Sequence, residues 1–402
     1  MFNLDLFISK KVTQRPYSLF QTDLTNSKME IEKRVKGKTA LIIGGAGSIG
    51  SSFIKALLPF EPASLVVVDT NENSLAELTR DLRSTRDMPI PDDYITYPMD
   101  FSSPVFEKMF RNRGGFDIVG NFSAHKHVRS EKDIYSVEAM LQNNVLHAKQ
   151  LLDLLVQFPP EEYFCVSTDK AANPVNIMGA SKRIMEDVIF SYSDKFPVKT
   201  ARFANVAFSN GSLPAGFLAR IQKLQPLSAP SDIRRYFVSP EESGQICLLA
   251  CMLGKNREIF FPKLAEEQMM SFDEIGTELL KAHGYKVIEC SSDEEAVEKA
   301  EDLKKGSTFY PVHYSVSDTS GEKPFEEFFT KNETVDLNRF VSLGVITGVK
   351  KPEKKKIEQL FKDLNNAFSN KETTKESVIE IMKSYLQNFE HIETGKFLDG
   401  KM

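Results

Sequence analysis

Thr39-Ala40-Leu41-Ile42-Ile43-Gly44-Gly45-Ala46-Gly47-Ser48-Ile49-Gly50 is the stretch that decides the fold. A short apolar run leads into a glycine turn, and Ser52 to Leu58 then reads as a helix. A run this short and this apolar suits a strand buried on both faces. Gly44, Gly47 and Gly50 let the backbone come close to a pyrophosphate. Ser48 and Ile49 open a helix whose N-terminus favours negative charge.

A glycine turn alone is weak evidence, and the sequence around it strengthens it. Ser64 to Asp69 is a second strand that ends on an acid. The Asp69 carboxylate can accept hydrogen bonds from both hydroxyls of an adenosine ribose, and it would repel a 2′-phosphate, so NAD is expected in preference to NADP. Ser74 to Ser84 is helical, with Leu75, Leu78 and Leu82 on one face. Tyr94 to Met99, Phe116 to Phe122, Tyr163 to Ser167 and Lys199 to Phe203 are further strands, with helices between them. This alternation predicts an α/β fold: a Rossmann-like, doubly wound parallel sheet with a smaller C-terminal substrate-binding region. Asp100 and Phe101, after the third strand, are expected beside the adenine. Ser123 and Ala124, after the fourth, are expected where the nicotinamide ribose approaches.

Four segments are expected. Residues 1–36 are an N-terminal extension, with a helix over Asn26 to Val35, packing on the main body or on a second subunit. Residues 37–205 form the NAD-binding domain, and residues 206–345, punctuated by Pro214, Pro226, Pro230, Pro240 and Pro262, mainly cover the substrate. Residues 346–402 read as a polar helical tail, solvated or in an oligomer contact, opened by the basic run Lys350 to Lys356.

The bulk composition excludes several function classes. The 402 residues are 41% hydrophobic and 27% charged, as in an ordinary globular protein. The net charge of −5, from 51 basic and 56 acidic residues, argues against a nucleic-acid ligand. No run reaches the ~18 apolar residues that span a bilayer, and Met1 to Lys11 lacks a signal-peptide cleavage pattern. Cys165, Cys247, Cys251 and Cys290 lack metal spacing, and no H-x-x-x-H pair occurs. No metal site is expected, and reduced thiols in a cytoplasm fit best.

The remaining motifs run in order: Ala124-His125-Lys126-His127-Val128, then Ser167-Thr168-Asp169-Lys170-Ala171-Ala172-Asn173-Pro174. Met178-x-x-x-Lys182, Arg202-Phe203-Ala204-Asn205-Val206 and Arg235-Tyr236-Phe237 follow. Together with the glycine turn and Asp69, these resemble the UDP-N-acetylglucosamine 4,6-dehydratases of the extended short-chain dehydrogenase/reductase superfamily, which belong with capsule and polysaccharide-biosynthesis proteins. The resemblance covers roughly residues 36 to 345. The Thr-Asp-Lys element is its most specific part, because ordinary sugar epimerases and dehydratases differ there. The N-terminal extension and Tyr310 to Phe329 resemble a soluble subgroup of nonulosonic-acid or amino-sugar pathways.

The resemblance implies a UDP-sugar substrate, bound NAD and a homo-oligomer. It also implies a chemistry. Oxidation at C4 makes the C5 proton acidic; a base removes that proton, water leaves from C6, and the hydride returns to C6. Lys170 would be the C5 base, Asp169 the acid/base at C6 or C4, and Lys182 the group that holds the nicotinamide ribose. Lys126, His127, Asn205 and Arg235 would contact the substrate, with the Arg235 fork on the diphosphate. Related enzymes have a tyrosine where this chain has Met178, and a thioether has no acidic proton. Asp169, through Thr168 or a water, could take over at C4; Lys170 could act twice; or catalysis could be lost. The resemblance favours the first two, since methionine occurs here in active members, and retention at C5 is expected. A neutral Lys170 requires a lowered pKa, expected from burial and from Lys182 and opposed by Asp169. A UDP-hexose 4-epimerase and a non-catalytic NAD-binding regulator are the rivals.

Overall fold

Four apolar residues at the centre of the first strand, Ala40 to Ile43, are almost wholly buried, as a strand covered on both faces requires. The computed structural model describes residues 2–127, 131–318, 320–393 and 395; Val128 of the sequence motif lies outside them. Strands β1 (Thr39–Ile43), β2 (Ser64–Asp69), β3 (Asp93–Pro98), β4 (Ile118–Asn121), β5 (Glu162–Val166) and β6 (Val198–Ala201) match the predicted strands to within a few residues. They pair in parallel in the order β6-β5-β4-β1-β2-β3. The order reverses between β1 and β4, so their carboxyl ends flank the crevice in which such sheets bind ligands.

Three strands from beyond residue 205 complete this nine-stranded sheet. Glu258–Pro262 adds in parallel to β6, and Leu343–Thr347 and Thr334–Asp336 follow as an antiparallel edge. The chain thus leaves the sheet after β6 and returns to it. Between these passages it builds a second core, in which Phe217, Ile221, Leu227, Ile275, Leu279, Tyr310 and Val312 cluster around a three-stranded parallel sheet.

Helix Ser48–Leu57 buries Gly50, Phe53, Ile54 and Leu57. Helix Pro240–Leu253 packs against it at unusually close range: a Cβ on Gly244 would stand 2.1 Å from the Ser52 carbonyl oxygen. That second helix starts with Pro240 behind a capping box in which the Ser239 hydroxyl and the Glu242 carboxylate each accept from the other's backbone N–H.

The N-terminal extension packs on the same chain. Its long helix is Gln21–Val35, a few residues longer than the sequence suggests, and it buries Phe20, Ile31 and Val35 completely. Each such side chain contributes about 1.5–3 kcal/mol. Arg15 forks onto Glu242 at 2.9 and 2.7 Å, and Asp23 accepts from the backbone of Val341 and Ser342. Phe7, Ile8 and Val12 enter the second core, so the extension clips the two cores together. The expectation of a solvated C-terminal tail is corrected. Helices Lys354–Ser369 and Lys375–Tyr385 bury Ile357, Leu360, Phe361, Leu364, Val378, Ile379 and Met382 in the main core. Their apolar residues fall at helical spacing, which a reading dominated by the lysines before them overlooks.

Candidate active site

The glycine turn is held in place by its neighbours. Gly44 has a φ of +70°, and its N–H donates to the Val68 carbonyl at 2.7 Å. A Cβ here would lie 2.6 Å from the Ser123 backbone nitrogen, and one on Gly50 would lie 2.4 Å from the Gly44 carbonyl oxygen. Gly47 is different: the nearest atom to its added Cβ is 3.4 Å away, so its bare backbone leaves space open at the helix N-terminus. A cradle that side chains would fill, at a helix start beside the sheet's switch point, fits a dinucleotide pyrophosphate. Asp69 stands at the end of β2 with one oxygen accepting from the Ala46 N–H at 3.0 Å and the other from the Asn71 N–H at 3.0 Å. The carboxylate that would meet the ribose thus also fastens the turn.

The other expected cofactor residues differ in exposure. Asp100 is exposed and folds back onto Ser102, while Phe101 is buried with its ring against His147. Ser123 donates to Asn143, and the next residues run without regular secondary structure to Lys126 and His127. The His127 ring lies where a side chain on Gly211 would stand, and Ser48 accepts from the Asn210 N–H at 2.9 Å. The 207–211 loop therefore reaches both the helix start and the segment after β4.

The reactive cluster forms beyond β5. Thr168 caps the short turn Asp169–Ala171 and donates to Asp169 Oδ1 at 2.9 Å; Lys170 Nζ lies 3.2 Å from the same oxygen. Helix Ile177–Ser191 sits directly against this turn, where a Cβ on Gly179 would be 2.6 Å from the Lys170 carbonyl oxygen. The helix start is capped twice: Asn176 accepts from the Gly179 N–H, and buried Glu131 takes the N–H groups of Ile177 and Met178. Met178 is buried in the main core, and the Ser181 hydroxyl donates to its carbonyl. Lys182 is also buried, with Nζ 3.2 Å from Met185 Sδ, and burial lowers its pKa.

A segment from the far end of the chain completes the cluster. Gly321, at φ +69°, approaches Asn176 so closely that a Cβ would be 2.6 Å from the Asn176 Cβ. Asn176 Nδ2 donates to the Gly321 carbonyl. Behind it, Glu326 is 4% exposed, with Oε1 3.7 Å from Lys170 Nζ and Oε2 3.9 Å from Lys323 Nζ. Arg235, also buried, spends Nη1 on the carbonyls of Arg234, Lys323 and Pro324, so it clamps this segment. Asn205 lies in a short parallel pair with Phe237 and Val238.

The electrostatics of Lys170 differ from the sequence expectation, and that expectation is corrected. Burial does push its pKa down, but Asp169 and Glu326 outweigh burial and hold the ammonium above the ordinary lysine value. Its positive neighbour is Arg235, not Lys182. Glu326 moves the same way for the opposite reason. Burial and the Asp169 charge raise it, against Lys170, Arg235 and Lys323.

A buried ion network supports the cluster from beneath. Arg202, fully buried, forks onto Glu186 at 2.9 and 2.8 Å and onto Glu333 at 2.9 Å twice, and donates to the Phe328 carbonyl. Ser167, next to the reactive turn, donates to Glu186. Burial opposes the Glu186 charge; Arg202, Arg183 and the Ser167 hydroxyl overcome it and keep the carboxyl below its usual range. Glu131, Glu186, Glu326 and Glu333 carry no periodic or motif signal, so sequence reading misses them. The glycine at 321, close to three acids and a lysine, is the only hint.

With this geometry in view, the family model of the polysaccharide biosynthesis proteins matches residues 40–347. The chain belongs to that family. An uncharacterized membrane protein of Methanocaldococcus jannaschii is 29% identical over 89% of this chain and 99% of its own length. The capsular polysaccharide biosynthesis protein CapD of Staphylococcus aureus is 27% identical over 86% of this chain, which spans 54% of that protein. A UDP-glucose 4-epimerase of Rickettsia conorii is 29% identical over 75% of this chain and 93% of its own length. Among solved structures, Pen from Bacillus thuringiensis aligns with a TM-score of 0.62 at 20% identity, covering 79% of this chain and 90% of that one. DesIV from Streptomyces venezuelae, a dTDP-glucose 4,6-dehydratase with NAD and TYD bound, aligns with 0.52 at 20% identity, covering 69% and 88%. These likenesses share the Rossmann-like sheet. Among the described residues, no helix is long and apolar enough to cross a membrane, and no cluster of metal-ligating side chains occurs. All four cysteines are free and buried.

Proposed function

We propose that this chain is a UDP-N-acetylglucosamine 4,6-dehydratase that uses NAD. The observation that carries the reading is a lysine whose side chain is only 18% exposed, between two buried carboxylates, at the carboxyl end of β5 and against the Met178 helix. A C4 epimerase has no step that requires a base at C5, whereas a dehydratase does. Residues Gly44, Gly47, Ser48, Ile49, Gly50 and Asp69 would hold the cofactor's pyrophosphate and ribose, with Asp100, Phe101, Ser123 and Ala124 along its flank and Lys182 at the nicotinamide end. NAD, when bound, supplies the acceptor for the C4 hydride and gives that hydride back at C6.

The chain's own groups do the proton work. Asp169, whose Oδ1 accepts from Thr168, would take the C4 hydroxyl proton that a tyrosine takes in relatives. Lys170 removes the C5 proton, Asp169 returns the C4 proton to the departing C6 oxygen, and Lys170 gives its proton back to C5 as C6 receives the hydride. Steps of this kind contribute about 10²–10⁴-fold each. Met178 fills the tyrosine's volume without its hydroxyl. Lys126, His127, Asn205 and Arg235 are the expected substrate contacts, and retention at C5 is expected.

The test is a mass-spectrometric and proton-NMR time course of purified protein with UDP-N-acetylglucosamine. Loss of one water from the sugar supports the reading. An epimeric sugar of unchanged mass favours the second reading, a UDP-hexose 4-epimerase, to which the Rickettsia conorii relative points. Bound NAD without turnover of any UDP-sugar would favour a regulator.

A further inference from the structure

The candidate mechanism asks Lys170 to act as a neutral amine, yet the site holds it as an ammonium. Glu326 offers the way out. It lies about 150 residues further along the chain, in a segment that no step above uses. Its carboxyl is buried, and among the described residues Oε1 has no hydrogen-bond partner although it lies 3.7 Å from Lys170 Nζ. A buried carboxylate oxygen left unpaired is costly, so its position calls for a reason. The charged groups facing it come from three separate parts of the chain: Asp169 and Lys170 from the turn after β5, Arg235 from the short strand Arg234–Arg235, and Lys323 from its own segment. The segment is locked, with Gly321 against Asn176, Arg235 on the carbonyls of Lys323 and Pro324, and Arg202 on that of Phe328.

We propose that Glu326 is the proton acceptor that frees Lys170 to act as a base, a positioning residue for the dehydratase reaction. The proposal rests on the dehydratase reading. In the step, one N–H bond of the Lys170 ammonium breaks and an O–H bond forms on Glu326 Oε1, directly after a small closure or through one water. The pair changes from ion pair to neutral pair, so no net charge enters or leaves the site. In a dry site the neutral pair loses less solvation than the ion pair, which makes the transfer accessible once substrate excludes water. Lys170 then takes the C5 proton. Asp169 passes the proton it took at C4 to the leaving C6 hydroxyl, Lys170 gives its proton back to C5 as C6 receives the hydride, and the proton on Glu326 returns to Lys170, so every group ends as it began and one water departs.

An internal proton transfer makes the rate independent of bulk pH near neutrality. Without Glu326, Lys170 must lose its proton to solvent. The experiment is therefore the pH profile of kcat for wild-type protein, Glu326→Gln and Glu326→Asp with UDP-N-acetylglucosamine, alongside pH-dependent acetylation of Lys170 by acetic anhydride, read by peptide mass spectrometry. The expected wild-type profile is flat from about pH 6.5 to 8.5. Glu326→Gln should lose about 10²-fold at pH 7, within the range for one acid–base step. It should then regain about tenfold per pH unit, as loss of one proton requires. Glu326→Asp, which keeps the carboxyl, should recover most of the rate and the flat profile. The acetylation midpoint of Lys170 should fall in Glu326→Gln, because one of its two carboxylates has lost its charge. A flat profile in Glu326→Gln overturns the proposal and leaves the dehydratase reading standing. A wild-type rate that itself climbs tenfold per pH unit through neutrality overturns it without any variant. If no UDP-sugar is turned over, the dehydratase reading fails, and the catalytic role proposed for Glu326 fails with it. An unshifted acetylation midpoint overturns the coupling of Glu326 to Lys170 whether or not turnover is seen.

Discussion

The cofactor cradle and the reactive cluster are built on opposite principles. The cradle lies within one βαβ passage, between Gly44 and Asp69, and consists mostly of backbone: bare glycines, a helix start, and one carboxylate that ties the turn to the following strand. Its function depends on the absence of side chains, which is written into the residue types themselves. The reactive cluster depends on charged side chains gathered from the 131, 169–186, 202, 235 and 321–333 regions, most of them buried and satisfied by an opposite charge or by backbone groups from elsewhere in the chain. A local site tolerates changes elsewhere in the molecule. A site of mutually dependent charges fails as a unit.

That contrast can be tested by breaking each half in turn. The largest effect is expected beneath the reactive cluster. Arg202→Met leaves the fully buried Glu186 without its main partner, which should cost about 3–5 kcal/mol in urea unfolding. Glu186 is held below the ordinary carboxylate range. Its stabilisation is therefore complete at neutral pH and is lost as pH falls below the unfolded value of about 4.3. Loss of that acid-side drop in Arg202→Met would be the signature; an unchanged acid limb would show that the network is not coupled as drawn. Next, Lys170→Ala should reduce turnover by about 10²–10⁴-fold while cofactor binding, measured by calorimetry, stays near wild type. Comparable loss of both would mean that the halves are not separable.

In the cradle, Gly50→Ala places a Cβ 2.4 Å from the Gly44 carbonyl oxygen, a backbone atom that cannot turn aside. A cost of about 1–3 kcal/mol is expected, with cofactor affinity falling more than stability. Binding at wild-type strength would remove the cradle from the argument. The smallest effect is expected at Met178. Met178→Leu conserves volume in a buried position, so it should cost less than about 1.5 kcal/mol and leave turnover within a few-fold. A hundredfold loss would assign the thioether a chemical part that it lacks in the mechanism above.

The two halves also differ in how legible they are. The strand runs, the glycine turn and Asp69 can be read from residue types and spacing, because period, apolarity and the need for bare backbone are local. The Thr168-Asp169-Lys170 element is legible as a motif, but its electrostatics are not. Reading Lys170 from its near neighbours predicts a lowered pKa, since Glu326 lies far away in sequence and nothing marks it as a neighbour. The C-terminal helices read from sequence as solvated or in an oligomer contact for a related reason. Their lysines are visible one by one, whereas the stripe formed by Ile357, Leu360, Phe361 and Leu364 acquires meaning only when a partner surface covers it.

Residue types and their spacing are enough for the parallel sheet, the bare glycine turn at its switch point and the groups available for acid–base work. Hydrophobic period and backbone freedom act over a few residues, and so they survive in one dimension. Folding alone settled that residues 2–36 clip two cores of the same chain, and that strands beyond residue 205 return to the sheet. It also decided that Lys170 faces a second carboxylate. Those outcomes depend on burial and on Coulomb interactions between groups that only folding brings within a few ångströms of each other.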